Sequence, residues 1–576
     1  MQKDIINGSS MLVEALHKEG VEVVFGYPGG AVLNVYDEIY KQTYFRHILT
    51  RHEQGAVHAA DGYARASGKV GVAIITSGPG FTNAITGIAT AYTDSVPLVV
   101  ISGQVPITQI GTDAFQEIDA VGISRPCTKH NYLVKDIADF PRILKEAFYI
   151  ARTGRPGPVL IDLPKDISAA KAPFVYPTKI DIPSYRPTLK GNSRQIKKLA
   201  NLIMESKAPL AYIGGGAVSS DAYEEIKTFL TLTKMPSVET LMARGVTQND
   251  ENFLGMLGMH GTYAANMAVS ECDLLISLGA RFDDRVTGKV SEFAKFAKIA
   301  HIDVDPSSIG KIIDVKYPIV GDLRLVLQEL NKELRILISE AYVDQSKEEV
   351  KSFIEQESFL AKLTKWKQTH PLKYADSDSV LKPQWVIEEL GRVFGSKAVI
   401  VTDVGQHQMW AAQFYPLDSK RQFITSGGLG TMGFGLPAAL GAAVALENTD
   451  KIVVSISGDG GILMNIQELM TLKETGIKCI NIVLNNGYLG MVRQWQEIFY
   501  ENRLSSVTLT QPNFDALTSS FGLLGLSAST KEDFKDILQK AIDYPESSLL
   551  NVAIEPLEKV FPMVPGGNPL YKMILE

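Results

Sequence analysis

The sequence predicts an α/β fold of three doubly wound domains, each built around a parallel sheet. Three observations carry this. The chain has 576 residues, which at roughly 100–200 residues per domain is enough for about three cores. Short β-branched runs alternate with helical runs, and glycines stand at the joins, as in parallel α/β units. Apolar residues make up 45% and charged residues 21%, an ordinary globular balance.

In the first block the expected strands are Val21–Phe25, Val70–Thr76, Pro97–Ser102 and Pro158–Leu163. Pro173, Pro177, Pro183 and Pro187 follow closely. Proline removes a donor and disfavours helix and central strand, so this stretch reads as a surface linker. The second block has strand candidates Leu210–Ile213, Leu274–Leu278 and Ile299–Val304 and ends near Val320-Gly321-Asp322. A charged helical run from Ser346 to Lys373 reads as a mostly solvated connector. The last block has candidates Ala398–Thr402, Ile452–Ser457, Ile480–Leu484 and Leu549–Ile554. The expected division is 1–170, linker 171–190, 191–343, connector 344–375 and 376–576.

The first and last blocks read alike. Ser77-Gly78-Pro79-Gly80 and Ser457-Gly458-Asp459-Gly460 each close a strand, open a helix and precede another strand. Duplication and chance both account for this match at the level of sequence.

Composition excludes several classes. Net charge is −7, from 57 basic and 64 acidic residues, with no basic tail; this argues against a nucleic-acid partner. Cys127, Cys272 and Cys479 are odd in number and far apart, which fits a reduced compartment better than a disulfide framework. No stretch is long and apolar enough to span a bilayer. Residues 1–20 lack a secretory pattern, so a cytoplasmic, bacterial setting is expected.

The chemistry centres on Gly458-Asp459-Gly460-Gly461 and, one helix and one strand later, Asn485-Asn486-Gly487. Each dipeptide alone could be a turn. Together they put a carboxylate and an amide oxygen at the ends of neighbouring strands, where open α/β sheets bind ligands. That pair suits Mg²⁺, which takes oxygen ligands and commonly shares phosphate oxygens. The glycines let backbone N–H groups approach those phosphates at a helix N-terminus. A second element, Arg51-His52-Glu53-Gln54-Gly55-Ala56, places a carboxylate at the start of a helix, where a bland reading is favourable interaction with the helix dipole.

These motifs resemble the thiamine diphosphate enzymes. The resemblance implies that Asp459, Asn486 and the backbone carbonyl of Tyr488 hold Mg²⁺, that Gly458, Gly460, Gly461, Gln406 and His407 hold the diphosphate, and that Met432 supports the bent cofactor. It implies that Glu53 binds the aminopyrimidine ring and serves a proton relay, a role worth on the order of 10²–10⁴ in rate. In that family the two half-sites come from different subunits, so a homodimer or tetramer is expected.

Further runs narrow the family. They include Gly26-Tyr27-Pro28-Gly29-Gly30, Ile110 through Glu117, Arg155-Pro156-Gly157-Pro158 through Asp162-Leu163-Pro164-Lys165-Asp166, and Gly258-Met259-His260-Gly261. Arg281 through Gly288, Gly490 through Trp495 and Val560 through Pro565 complete the set. They resemble the large catalytic subunits of the acetohydroxyacid (acetolactate) synthases over nearly the whole chain. The implied activity is a transferase reaction: pyruvate loses CO₂ and its two-carbon unit passes to a second pyruvate, giving 2-acetolactate, or to 2-oxobutyrate, giving 2-aceto-2-hydroxybutyrate. This would be the first common step of branched-chain amino acid biosynthesis.

By the same resemblance Arg285 would hold the acceptor carboxylate, for which arginine's fork is suited. Trp495 would favour the larger acceptor, and Gly30, Phe115, Gln116, Lys165 and Met491 would line the site. A lysine after Leu-Pro also has a plain surface reading. Gly214-Gly215-Gly216 without G-x-G-x-x-G is a weak nucleotide signal, but the Arg281–Gly288 run resembles the FAD-containing synthases. Arg155, Gly214, Met259, His260, Arg281 and Asp303 would then lie near FAD. A separate small regulatory subunit is implied too. Two alternatives stay open: another thiamine enzyme, such as a decarboxylase or pyruvate oxidase, and a catalytically silent nucleotide-binding scaffold.

Overall fold

The computed structural model describes residues 5–247, 250–344 and 347–576. Its frame is three six-stranded sheets in which every neighbouring pair is parallel. The first contains Val23–Tyr27, Arg46–Leu49, Gly71–Ile75, Leu98–Gln104, His130–Leu133 and Pro158–Pro164. The last contains Ala398–Thr402, Phe423–Ile424, Ile452–Gly458, Cys479–Asn485, Leu524–Ala528 and Ser548–Ala553. With strands counted in chain order within each sheet, both run 2-1-3-4-6-5. The topology thus matches the likeness of the two glycine turns, which close the third strand of each sheet.

The middle sheet contains Pro209–Ile213, Ser237–Glu239, Phe253–Met256, Leu274–Leu278, Lys298–Asp303 and Tyr317–Val320. Its order, 3-2-1-4-5-6, is that of the dinucleotide-binding fold, whose ligands lie where strands 1 and 4 part.

Leu98–Gln104 and Pro158–Pro164 are buried at every position, because helices cover both faces of a parallel sheet and the strands must be apolar throughout. The strands expected from sequence are present, with ends displaced by about one or two residues. The ones that went unread are mostly short or partly exposed, such as Ser237–Glu239, Phe423–Ile424 and Leu524–Ala528. They carry too few residues to show a period.

The first and last domains share one apolar core. Its seam is helix Glu53–Ser67 against helix Gly435–Leu446, both rich in alanine and glycine. A Cβ on Gly441 would stand 1.8 Å from Ala59 O, so no larger residue fits at this approach. Ile5–Asn7 pairs antiparallel with Lys171–Pro173, after which the proline-rich stretch crosses the surface.

Helix Lys347–Thr369 covers most of the expected connector; Ser346 lies outside the described residues. The helix is less solvated than its charge implied. Leu363 is fully buried and Phe359 nearly so in the middle domain's core, and His370 stacks on Tyr263 at 3.9 Å. A charged face concealed that narrow apolar one. Among the described residues no helix is long and apolar enough to cross a membrane.

Candidate active site

A cavity of about 1370 Å³ runs between the carboxyl ends of the last and middle sheets. Strands Ile452–Gly458 and Cys479–Asn485 are neighbours in register, Gly458 opposite Leu484. Asp459 and Asn486, each one residue past its strand, therefore arrive side by side, as the spacing required. Both line the cavity with Gly458, Gly460, Gly461 and Tyr488.

The polar groups here are aimed rather than incidental. Asn486 Oδ1 accepts Tyr488 N at 3.0 Å, and its amide donates to Gln406 Oε1 at 3.3 Å. Gln406 Nε2 donates to Gln494 Oε1 at 2.9 Å and Glu558 O at 3.0 Å. His407 Nε2 is buried with no partner, and burial pulls this imidazole down to about 4, so it stays neutral at pH 7. Burial pushes the Asp459 carboxyl up to about 6, against hydrogen bonds from its own backbone, Gln511, Gly487 and Gly460. A divalent cation beside Asp459 would favour its ionised form.

Among the described residues no cluster of three His, Cys, Asp or Glu side chains could hold a metal. One carboxylate, one amide and a backbone carbonyl leave an octahedral ion short of ligands, and a diphosphate supplies oxygens of the required kind. The orphaned His407 and the glycine turn therefore fit Mg²⁺ with a diphosphate. Met432 lines the same space, and Asp403 fixes its loop by accepting Gly433 N at 3.0 Å.

The other half of the cavity lies at the switch point of the middle sheet. Gly214 follows strand 1 and Arg281 follows strand 4; a Cβ on Gly214 would stand 2.3 Å from Gly279 O, so the two turns touch through backbone. Arg155, Met259, His260 and Asp303 also line this half. Arg155 donates to Ser95 Oγ at 2.8 Å and faces Asp305 at 3.6 Å. His260 Nδ1 lies 3.2 Å from Pro562 O, and burial lowers it to about 4. An elongated ligand at this switch point would be reached by backbone N–H groups and two arginines.

Between the halves stand Arg285, Met491 and Trp495. The Arg285 guanidinium lies 6.0 Å from the centre of the Trp495 ring and stays largely exposed. The adjoining residues of the Gly490–Trp495 run have a different task. Arg493 and Gln494 are fully buried and hold the C-terminal segment through Glu558 O at 2.9 Å and Val560 O at 3.1 Å.

Gly30, Glu53, Phe115, Gln116 and Lys165 do not line this cavity. They gather instead at the carboxyl ends of the first sheet's strands. Glu53 opens its helix after His52, whose ring caps Gln54 N at 3.1 Å, and Asn83 Nδ2 donates to Glu53 Oε2 at 3.0 Å. A Cβ on Gly80 would stand 3.1 Å from Glu53 Oε1, and one on Gly78 2.8 Å from Gln116 O. Lys165 is exposed, and Phe115 is 88% exposed. One chain therefore carries two separate polar constellations, and the second ends in a bare aromatic.

Several functional residues were not found in the sequence. Asp94 accepts Gly427 N at 3.1 Å, Gly428 N at 2.7 Å and Arg65 Nη2 at 2.8 Å. Arg65 also meets Asp61 at 2.5 Å. This buried network fixes the glycine loop that runs on to Met432. Glu468 holds the turn before Glu53. An acid inside a helical run looks like a solvated face, and only the fold shows it buried.

Comparison with known proteins agrees with this geometry. The model of the thiamine pyrophosphate enzyme N-terminal binding domain matches residues 6–123, that of the central domain 196–330, and that of the C-terminal binding domain 403–552. Those matches define the class: a thiamine pyrophosphate enzyme. The acetolactate synthase large subunit of Haemophilus influenzae is 46% identical over 575 residues, 99% of this chain and 98% of its own. The acetolactate synthase isozyme 3 large subunit of Escherichia coli is 45% identical over 579 residues, 99% of both chains. An acetolactate synthase of Mycobacterium bovis is 45% identical over 98% of this chain and 90% of its own. This chain belongs to the acetolactate synthase large-subunit family.

Proposed function

We propose that this chain is the catalytic subunit of an acetolactate synthase that uses thiamine pyrophosphate, Mg²⁺ and FAD. The observation that carries the reading is a single cavity joining the Asp459–Asn486 turns, the Arg285–Trp495 pair and the switch point of the middle sheet. The reading keeps the domain boundaries expected from sequence.

When bound, thiamine pyrophosphate supplies the electron sink that makes decarboxylation of a 2-oxo acid possible. The chain supplies position and charge. Asp459, Asn486 and the Tyr488 carbonyl hold the ion; Gln406, His407 and the Gly458–Gly461 turn receive the diphosphate, and Met432 supports the rings. Arg285 pairs with the acceptor's carboxylate, and Trp495 and Met491 meet its alkyl end. Joining two 2-oxo acids with loss of CO₂ needs no net electron transfer, so FAD at Gly214, Arg281, Asp303, Arg155, Met259 and His260 is structural. Pyruvate is the donor, and pyruvate or 2-oxobutyrate the acceptor.

Glu53, Gly30, Phe115, Gln116 and Lys165 complete the cavity of a second copy, which makes the enzyme a homodimer or tetramer. Their place at the carboxyl ends of the first sheet, outside the cavity of their own chain, supports this. The "large subunit" names of the relatives support a separate small subunit, to which we assign feedback control. We place the enzyme in the bacterial cytoplasm, in branched-chain amino acid synthesis; its three free cysteines suit a reduced compartment.

The test is direct. The purified chain is incubated with pyruvate, thiamine pyrophosphate and Mg²⁺, with and without FAD, and with 2-oxobutyrate in half the samples. Acetolactate and acetohydroxybutyrate, dependent on FAD after the flavin is stripped, are expected. Acetolactate without need of FAD assigns the catabolic type. Acetaldehyde or acetyl phosphate as main product overturns the synthase reading.

A further inference from the structure

Asp459 has one neighbour that no motif announces. Gln511 Nε2 donates to Asp459 Oδ2 at 2.5 Å and is also placed to donate to Leu509 O at 3.3 Å. Both amide protons are thus used. Gln511 Oε1, by contrast, is buried with no partner in the chain. A buried acceptor left without a hydrogen bond is costly, so something outside the chain's own groups is expected to satisfy it.

The segment that brings Gln511 here is fixed to the other ligand turn. Leu489 N donates to Val507 O at 2.8 Å and Leu509 N to Gly487 O at 2.9 Å, with Tyr488 and Thr508 forming an antiparallel bridge. Residues 507–509 are therefore a short strap along the turn that carries Asn486 and Tyr488, and Gln511 extends that strap to Asp459. A long connection returning from helix Gly490–Phe499 closes the gap between the two turns.

We propose that Gln511 is a positioning residue of the metal site. Its amide N–H fixes the Asp459 carboxylate through Oδ2. Its carbonyl oxygen accepts a hydrogen bond from a water in the ion's shell. Mg²⁺ dehydrates reluctantly and keeps waters in such sites, and a metal-bound water is a strong donor. Groups that orient a ligand in this way are commonly worth 10–100-fold in metal affinity. The inference rests on the metal reading above, and its test separates the two.

Mn²⁺ binding to the full chain with thiamine pyrophosphate present is followed by electron paramagnetic resonance, for the parent, Gln511→Ala and Asp459→Ala. Gln511→Ala is expected to weaken Mn²⁺ binding by roughly 10–100-fold, and Asp459→Ala to abolish it. Should Gln511→Ala not fold, Gln511→Met, which keeps the volume and lacks the amide, takes its place with the same expected loss. Parent-like Mn²⁺ affinity in the Gln511 variant, while Asp459→Ala loses the ion, overturns the role of Gln511 alone. Parent-like binding in Asp459→Ala overturns the metal reading itself.

Discussion

Glu468, on the helix that follows the Gly458–Gly461 turn, accepts the backbone N–H of Arg51 at 3.0 Å, two residues before Glu53. Its second oxygen takes the Thr471 hydroxyl at 2.7 Å. The last domain thus holds the turn that presents the first domain's carboxylate, so the two constellations of one chain are mechanically linked.

That contact has a signature in pH. Burial raises the Glu468 carboxyl from its ordinary 4.5 to about 7, more than its hydrogen bonds to Thr471 and the Arg51 backbone lower it. The folded state then keeps a proton that the unfolded state has lost. This contribution is fully present below about 4.5 and is lost as pH rises through about 7, by up to about 1.4 kcal/mol per pH unit between those values. Glu468→Gln cannot ionise. Its stability relative to the parent should improve steadily from pH 4.5 to 7 and then level off. Denaturation midpoints at four pH values decide it; parallel curves for the two proteins would sink the idea.

The separation of Glu53 from Asp459 predicts complementation. Glu53→Gln and Asp459→Ala should each abolish most activity when alone. In a two-fold dimer whose sites each draw on both chains, a mixed dimer contains one site free of either change. Equal mixing with subunit exchange should therefore restore about a quarter of parent activity. No restoration, with exchange shown by a mass-tagged chain, would mean that both residues serve one site within one chain.

What the sequence revealed and what it hid divide along physical lines. Asp459 and Asn486 were legible because each stands in a glycine turn after a long apolar strand, and glycine and alternation of elements leave strong traces. Their adjacency followed from the order of parallel strands. Arg285 and Trp495 were assigned through family resemblance, and the fold brings them together. Asp94, Asp403 and Glu468 were hidden because each holds backbone from a distant part of the chain, and Gln511 because it holds a side chain from one. The burial of Leu363 was masked by the lysines and glutamates around it. Long-range contact has no local period, so pattern reading could not reach these residues.

The Asp61–Arg65–Asp94 network allows a comparison of buried with exposed charge. The side chains of Asp61 and Asp94 are fully buried and that of Arg65 is 11% exposed. Asp94→Ala leaves two loop N–H groups without their acceptor and Arg65 with one carboxylate partner in place of two, so a cost near 3 kcal/mol is expected, at the lower end for breaking a buried pair. Arg46 and Glu447 are about two-fifths exposed, and Arg46→Ala should cost at most about 1 kcal/mol. Urea unfolding of both variants checks the contrast. Asp94→Ala should also bind thiamine pyrophosphate more weakly, because its loop leads to Met432. A variant as stable as Arg46→Ala would show that the network is not what fixes the loop.

The Arg285–Trp495 pair sets the last expectation, which concerns choice of acceptor. The Trp495 ring meets the Arg285 guanidinium; in the proposed function it also meets the alkyl end of the second 2-oxo acid, and 2-oxobutyrate exceeds pyruvate by one methylene. A methylene in such a pocket is worth about 1–3 kcal/mol, or roughly 10–200-fold. Trp495→Ala should therefore reduce the ratio of acetohydroxybutyrate to acetolactate by about tenfold or more, with acetolactate formation from pyruvate alone falling less. Arg285→Lys keeps the charge but loses the fork, so both products should fall together and their ratio should hold. If the ring also steadies the guanidinium at 6.0 Å, the two changes will not add; a coupling of about 0.5–1 kcal/mol is expected for an exposed cation–ring pair. Competition assays with both acceptors present, run on the two single variants and the double, measure ratio and coupling at once. A ratio moved by Arg285→Lys and left alone by Trp495→Ala would reverse the assignment of these two side chains.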